Sequence, residues 1–312
     1  MEKTQNTGLG TSPRKPPVPS FIKSVELDSG SLGIALEDVG EISLEEVLYK
    51  SNKNRKIALA KGGLNILVYL HNKFTYNPLD FNYTRVKEDF AEEIVKNFRD
   101  LILARRPNLY NNWFAERRSF KQTIAPIIKE LDRESRYIIH GDYTPANIVI
   151  NKDKKMIAVD LGHVTVAPWQ FDVVSFLKHP SFNLGDEEVY GLLEYFVIEK
   201  TNSSLKSTLH ITESSIKSFK NLDEKYVSDI LKVFYLSNIF NDFRALGFSS
   251  RYEDKLNKGI EPSEKDETWY IYDLYHVLNH DGRLSLLNDV EINSVNTLME
   301  FCQRYGFFEK KE

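Results

Sequence analysis

Cysteine is almost missing from this sequence, which has a single one, Cys302, among 312 residues. One cysteine cannot form an intrachain disulfide, and no group of Cys and His residues has the spacing of a zinc site. These absences exclude a disulfide framework and a structural zinc finger. They fit a reducing location, so the sequence predicts a cytoplasmic protein.

The sequence also lacks a long hydrophobic run and an excess of positive charge. No apolar stretch approaches the length of about 18 residues that suggests a membrane helix, and the first twenty residues are polar rather than signal-like. The 41 Lys and Arg residues face 45 Asp and Glu residues, which gives a net charge of -4. No basic surface is therefore expected for a nucleic-acid backbone. We expect neither a membrane nor a nucleic acid as partner.

The first forty residues divide into three parts. Residues 1–17 contain Gly, Pro, Ser and Lys without a hydrophobic period, which predicts a mobile arm. Residues 18–40 contain two β-like runs, FIKSVEL and SLGIALE, separated by Asp28, Ser29 and Gly30. This pattern predicts a hairpin. Ser43, followed three residues later by Glu46, predicts the capped start of a helix.

Residues 41–312 are predicted to be mainly helical, because their apolar residues recur at helical spacing. Helices are expected from residue 43 to about 50, from 57 to 71, and over 85–104, 116–134, 171–178, 186–200, 223–246, 266–279 and 289–305. One segment has strand character instead. Its runs RYIIH, NIVI and MIAVDL are short and β-branched, and the turn NKDKK joins the last two. The sequence therefore predicts an α+β fold with a hairpin inside a helical body.

The strongest functional signal lies in residues 137–162. Asp142 follows a strand, Asn147 comes five residues later, and Asp160 lies thirteen residues after Asn147. A hairpin of this length brings its two ends together, so the three side chains should converge. Two of them can bind a hard cation through oxygen atoms while the third meets a substrate, which is the division of labour that phosphoryl transfer requires. The alternative is that three polar side chains only cap and tighten turns.

The segments HGDYTPAN and VDLG resemble the catalytic and metal-binding motifs of the aminoglycoside phosphotransferase and choline kinase family, whose fold is similar in plan to that of protein kinases. The resemblance implies that Asp142 is the catalytic base or orients the acceptor hydroxyl. It implies that Asn147 and Asp160 bind Mg²⁺, that ATP is the phosphoryl donor, and that His140 braces the catalytic loop. Taken alone, His140 is better interpreted as a structural, interior histidine.

Two neighbouring segments extend the resemblance. LEDVG, residues 36–40, resembles the family's hinge, where backbone groups near Glu37 and Val39 would meet adenine. The side chains of Glu37 and Asp38 are interpreted as ordinary loop acids. PWQFDVVSFL, residues 168–177, resembles the segment that follows the metal-binding aspartate. Its Asp172 is expected at a helix start, where a carboxylate can cap amide groups.

The segment before the hinge departs from the family pattern. Family members place a nucleotide-covering loop, a strand lysine and its acidic partner there, whereas LEDVG begins at residue 36 here. GLGTS at residues 8–12 follows no strand and is not interpreted as a phosphate loop. The resemblance thus implies a protein-kinase-like fold with a remnant N-lobe hairpin over residues 18–40 and a helical C-lobe over residues 41–312. An upstream segment, a partner chain, or natural loss of the upper lobe would each account for the difference.

The predicted function is ATP-dependent phosphoryl transfer to a hydroxyl group of a small molecule. The acceptor stays open among an aminoglycoside, choline or ethanolamine, another sugar, an amino alcohol and a macrolide. The alternative is a catalytically impaired, kinase-like binding or regulatory module. An aromatic run with Trp269, Tyr272, Asp273 and Tyr275 could bind a cationic amine, but core packing of a helical face is the preferred interpretation.

Overall fold

Nine helices and seven strands lie in the described part of the chain. A computed structural model describes residues 17–19, 21–26, 32–40, 42–73, 86–134, 137–209, 218–256, 264–279, 284–305 and 307. The strands are β1 (Phe21–Glu26), β2 (Leu32–Leu36), β3 (Ile42–Ser43), β4 (Tyr137–Ile139), β5 (Ile148–Ile150), β6 (Met156–Ala158) and β7 (Thr165–Ala167). The helices are α1 (Leu44–Tyr49), α2 (Lys53–Lys73), α3 (Val86–Arg105), α4 (Tyr110–Glu134), α5 (Gln170–Leu177), α6 (Asp186–Leu209), α7 (Glu224–Leu256), α8 (Glu264–Leu278) and α9 (Asp289–Arg304).

Both predicted hairpins are confirmed. β1 pairs antiparallel with β2, from Phe21 opposite Leu36 to Glu26 opposite Leu32, and the predicted turn Asp28–Gly30 lies outside the described residues. β5 pairs antiparallel with β6, and β3 adds to the free edge of β5 to make the order β3-β5-β6. β4 pairs with β7 in a separate two-stranded sheet. Sequence analysis missed β3 and β7, because two or three residues are too few to show alternation.

The helices match the predicted positions, but four of them are longer. α2 begins at Lys53 rather than at residue 57 and continues to Lys73. α4 begins at Tyr110 rather than at residue 116, α6 continues to Leu209, and α7 continues to Leu256. The part of α4 that sequence analysis missed contains Trp113. This buried residue lies about two helical turns before Phe120 on the same face, and the two ring centroids are 5.1 Å apart. The preceding Asn111 and Asn112 resemble loop residues and conceal this start.

The cap of α1 differs in detail from the predicted one. The Ser43 hydroxyl accepts the backbone N–H of Glu46 at 3.2 Å, as expected for an N-cap residue. The same hydroxyl lies 3.3 Å from the Glu46 carboxylate and donates to it. The return bond that sequence analysis expected was from a backbone amide to Glu46. The cap fixes where β3 ends and α1 begins.

Two hydrophobic cores share helices α5 and α7. The first core lies among α3, α4, α7, α8 and α9 and contains the stacked rings of Phe98 and Phe120. The second lies among α1, α2, β5, β6, α5 and α6. Ile139, at the end of β4, packs in the first core, and Tyr143, four residues on, packs in the second. The loop between β4 and β5 therefore starts at one core and is anchored in the other.

Pro17, the last residue of the predicted arm, contacts the β5–β6 hairpin. The Pro17 carbonyl accepts the backbone N–H of Ala158 in β6 at 2.8 Å, and Val18 packs against the second core. Residues 1–16, the rest of the predicted arm, lie outside the described residues. None of the helices in the described ranges combines the length and apolar character that crossing a bilayer requires.

Candidate active site

The predicted triad meets on the loop between β4 and β5 and at the end of β6. The Asn147 side-chain amide donates to the Asp142 carboxylate and to the Asp142 carbonyl, both at 2.9 Å. The backbone N–H of Val159 donates to the Asn147 carbonyl at 2.9 Å, which places Asp160 beside Asn147. The three side chains are therefore neighbours, as the sequence predicts. Their catalytic and metal-binding roles stay predictions.

A histidine that sequence analysis did not identify joins two of these residues. One ligand atom from each of Asp142, Asp160 and His163 lies within 4.8 Å of the other two. Asp160 adopts a left-handed conformation, with φ 58° and ψ 60°, which is rare for a residue with a side chain and clusters at functional sites. The signal in the sequence was a histidine three residues after Asp160, directly following the VDLG motif.

Gly141 allows the loop between β4 and β5 to approach this histidine closely. Its φ is +80°, and a Cβ atom at this position would lie 2.1 Å from the His163 carbonyl oxygen. No side chain fits in that gap, and L-residues rarely adopt this φ. The glycine of HGD is therefore required by the contact between the loop and residue 163.

Asp172 holds the start of the same loop from beneath. Its carboxylate accepts the backbone N–H groups of His140 at 2.8 Å and of Gly141 at 3.0 Å. The sequence predicted Asp172 at a helix start, and it lies in the first turn of α5, but it binds loop amides rather than those of its own helix. Carboxylate acceptors make stronger bonds to N–H groups than neutral acceptors do, so Asp172 fixes the backbone next to Asp142.

A second histidine that sequence analysis did not identify, His71 of α2, also contacts the Asp172 carboxylate. Its Nε2 atom lies 3.1 Å from the Asp172 carboxylate, and both side chains are 1% exposed. Burial lowers the pKa of His71, and the hydrogen bond to Asp172 opposes this effect only in part. The neutral ring carries its proton on Nε2 and donates it to the acceptor-only carboxylate.

His140 lies in the interior and braces the loop, as the structural interpretation of this residue expects. Its Nε2 atom donates to the Val159 carbonyl at 2.9 Å, which links the loop to the residue before Asp160. Its ring also meets Tyr143 edge to face, with centroids 5.4 Å apart. The Tyr143 hydroxyl donates to the Gly63 carbonyl of α2 at 2.8 Å. The loop is thus tied to β6 on one side and to α2 on the other.

Arg244 of α7 reaches the loop from a distance of about one hundred residues in sequence. Its Nη1 atom donates to the Gly141 carbonyl at 2.5 Å, and Nη2 lies 3.9 Å from the Asp142 carboxylate. The arginine side chain is 26% exposed, so it lies partly buried next to Asp142. No local pattern in the sequence identifies this contact.

The predicted hinge lies against the turn of the β5–β6 hairpin. Glu37 and Val39 line a cleft of about 200 Å³ together with Ile157 and the turn residues 151–153. The Gly40 N–H donates to the Asp38 carboxylate at 3.1 Å, which agrees with a turn-forming role for that acid. The contact of Glu37 and Val39 with adenine stays a prediction.

The aromatic residues on α8 are not all packed in the core, contrary to the preferred interpretation. Tyr275 packs partly against the first core, but Tyr272 is 58% exposed, so the core interpretation is wrong for Tyr272. The side chain of Trp269 lies outside the described residues. The Asp273 carboxylate accepts a bond from Lys178 at 2.9 Å within a buried ion pair. The residue suggested as a partner for a cationic amine is therefore already paired with a cation.

Comparison with known proteins agrees with the motifs. Residues 80–200 match the model of the phosphotransferase enzyme family, and no curated protein sequence matches the chain. A choline kinase from Streptococcus pneumoniae superposes with a TM-score of 0.45 at 14% identity, covering 83% of this chain and 75% of that one.

Two further solved structures superpose in a similar way. An ethanolamine kinase from Plasmodium vivax gives a TM-score of 0.49 at 14% identity, with 88% of this chain and 70% of that one covered. The gentamicin complex of APH(2″)-IIa gives 0.43 at 14% identity, with 86% and 75% covered. TM-scores below 0.5 do not establish a shared fold. The predicted resemblance to the phosphotransferase family is confirmed by the family match over residues 80–200, the segment that carries Asp142, Asn147 and Asp160.

Proposed function

We propose that the chain is an ATP-dependent small-molecule kinase with a protein-kinase-like fold, in which residues 41–312 correspond to the C-lobe. The observation that carries this proposal is the convergence of Asp142, Asn147 and Asp160 at the end of one short hairpin. Their order and spacing match the motifs of a phosphotransferase family, and the family match covers the same segment. The family resemblance supports ATP and a divalent metal ion as its cofactors.

The residues fit a metal ion bound through oxygen. The Asn147 side-chain nitrogen donates to Asp142, which leaves its Oδ1 atom as the potential ligand. Asp160 supplies a carboxylate that is exposed beside Asn147. Amide and carboxylate oxygens are the ligands that Mg²⁺ prefers. A metal ion bound there would neutralise charge on the phosphates of the nucleotide.

Asp142 is the residue we assign to the acceptor hydroxyl. The hydroxyl oxygen forms a bond to the γ-phosphorus, the bond from that phosphorus to the β,γ-bridging oxygen breaks, and ADP leaves with the electron pair. The hydroxyl proton passes to the Asp142 carboxylate. The Asn147 amide holds one oxygen of this carboxylate in place, while Asp172 and Arg244 fix the backbone of Gly141 directly before it. Such positioning accounts for much of catalysis in phosphoryl transfer.

The acceptor is a small molecule with a free hydroxyl group. Choline, ethanolamine and gentamicin appear with the solved structures compared above, and they form a first panel of acceptors. The predicted aromatic cation site on α8 gives no preference among them, because Asp273 is paired with Lys178.

Transfer of labelled phosphate tests the proposal. The chain is incubated with Mg²⁺, ATP labelled in the γ position and the acceptor panel, and labelled product is counted. We expect Asp142→Asn to lower kcat by about a hundredfold or more, because a general base contributes that much. Asp229→Asn, at an exposed position of α7 about four helical turns before Arg244, is the matched control and should keep full activity. Unchanged turnover in Asp142→Asn would refute the assignment.

The second candidate is a module that binds a nucleotide without transferring phosphate. Before the hinge, the described residues contain only β1 and β2, which pair with each other in a two-stranded sheet. A two-stranded sheet offers few groups that could position the phosphates of a nucleotide for transfer, and this favours the second candidate. Under this alternative the chain binds Mg·ATP but no acceptor of the panel becomes labelled. Binding together with turnover discards it.

A further inference from the structure

Asp160 has a neighbouring side chain, that of His163, which the proposed oxygen-based metal site does not include. Ligand atoms of Asp142, Asp160 and His163 all lie within 4.8 Å of one another. Ligands of a six-coordinate ion at 2.0–2.1 Å are separated by roughly 3 to 4.2 Å. The Asp160 carboxylate and the His163 imidazole are therefore close to the separation that shared coordination of one ion requires.

The position of His163 is fixed by the catalytic loop. The residue ends the short 3₁₀ turn Leu161–His163, whose first carbonyl accepts the N–H of Val164 at 3.4 Å. The His163 carbonyl lies against Gly141 so closely that a Cβ atom there would be 2.1 Å away. The imidazole itself is exposed, and no hydrogen bond from a described residue holds its ring. Its backbone is constrained while its ring is available to a ligand.

The chemistry of an imidazole differs from that of the two carboxylates. Oxygen ligands suit Mg²⁺ and Ca²⁺, whereas a neutral imidazole nitrogen is a typical ligand of first-row transition-metal ions. An imidazole added to the oxygen ligands of Asn147 and Asp160 shifts the preference of the site away from Mg²⁺. His163 is thus the residue that would change which ion the site selects.

We propose that His163 is a metal ligand beside Asp160, and that the site binds a first-row transition-metal ion such as Mn²⁺ in preference to Mg²⁺. The inference rests on the proposed function only for the location of the metal site. It does not require turnover. It concerns the identity of the ion and the atom that selects it, so it can be tested without nucleotide or acceptor.

Mn²⁺ is the probe, because its electron paramagnetic resonance signal reports both affinity and ligand type. The full chain is titrated with Mn²⁺ in the absence of nucleotide, and Mg²⁺ is then added as competitor. Pulsed measurements on the bound ion detect modulation from a directly coordinated ¹⁴N nucleus. His163→Ala removes the proposed ligand. His276→Ala is the matched control, because His276 is an exposed histidine of α8 that contacts Tyr272 instead.

The expected results are specific to a nitrogen ligand. The wild-type chain shows the ¹⁴N modulation and prefers Mn²⁺ to Mg²⁺. His163→Ala loses the modulation and weakens Mn²⁺ binding about tenfold, or about 1.4 kcal/mol, with a smaller change for Mg²⁺, while His276→Ala behaves as wild type. The inference is overturned if the wild-type chain binds no Mn²⁺, or if His163→Ala keeps both the modulation and the preference. Failure of the proposed function is seen separately, as absence of labelled product with bound metal present.

Discussion

Single side chains around Asp142 show how the sequence specifies the candidate site. The aspartates and the asparagine of the two motifs lie within nineteen residues of each other, so a local hairpin is enough to bring them together. His71 and Arg244, which contact Asp172 and Gly141, lie 101 and 103 residues away from those partners. Only the packing of α2 and α7 decides these contacts, and no local pattern predicts them.

Gly141 is the position where a single substitution is most informative. Gly141→Ala forces a side chain into a left-handed conformation and against the His163 carbonyl. We expect it to lower the free energy of unfolding by at least about 2 kcal/mol and to abolish phosphate transfer. Urea unfolding measures the first effect.

Gly191→Ala is the matched control for this substitution. Gly191 lies in α6, and a Cβ atom there meets no other atom within 4 Å. Replacing a helical glycine by alanine should raise the free energy of unfolding by about 0.5–1 kcal/mol. If Gly141→Ala were as stable as the wild type, the close approach of Gly141 to residue 163 would be wrong.

At the level of helices and strands, the sequence predicts some pairings and not others. The β5–β6 hairpin was predictable, since its β-branched runs flank a charged turn, and it sets the spacing between Asn147 and Asp160. β7 was not, because TVA is short and its partner β4 lies on the far side of the motif. The contact between α2 and α5 was also unpredictable, as it depends on His71 meeting Asp172 in the interior.

The α2–α5 contact makes the stability of the fold depend on pH. Burial lowers the pKa of His71, so the folded chain keeps this ring neutral while the unfolded chain binds a proton below about pH 6.5. As pH falls from 7 to 5, the unfolded state takes up a proton that the folded state does not. The free energy of unfolding then decreases by up to about 1.4 kcal/mol per pH unit for this histidine.

His71→Gln isolates this contribution, because glutamine does not titrate and can still donate to Asp172. Two other groups act over the same range. Burial lowers the pKa of His179 to about 4, with the same sign of effect. Burial and the nearby Asp273 raise the pKa of Asp242 well above its usual range, with the opposite sign. The free energy of unfolding is therefore measured as a function of pH for both proteins. Between pH 7 and 5 it should decrease less in His71→Gln than in the wild type. Parallel profiles would show that His71 does not titrate on unfolding.

The chain as a whole has two hydrophobic cores that share α5 and α7, and the loop between β4 and β5 runs from one core to the other. Sequence analysis predicted a mainly helical body with an embedded hairpin, which the structure shows. It did not predict which helices share a core, since amphipathic stripes show that a helix is half-buried but not against what. The buried pair of Lys178 and Asp273, which links the end of α5 to α8, has no signal in sequence for the same reason.

This arrangement leads to the central claim, that the loop and the end of β6 form one nucleotide and metal site. The hinge cleft at Glu37 and Val39 lies at one end of the β5–β6 hairpin, and Asp160 follows its last strand. A nucleotide bound along the hairpin would place adenine at the first and phosphates at the second. Binding should then depend on both Mg²⁺ and the Asp160 carboxylate.

Calorimetric titration of the full chain with Mg·ATP tests this claim most directly. We predict binding to one site, which weakens by about tenfold or more, about 1.4 kcal/mol, in Asp160→Asn or when Mg²⁺ is omitted. Asp229→Asn, at an exposed position of α7 outside the cleft and the triad, should bind as wild type does. No binding to the wild-type chain, or equal affinity for wild type and Asp160→Asn, would contradict the account.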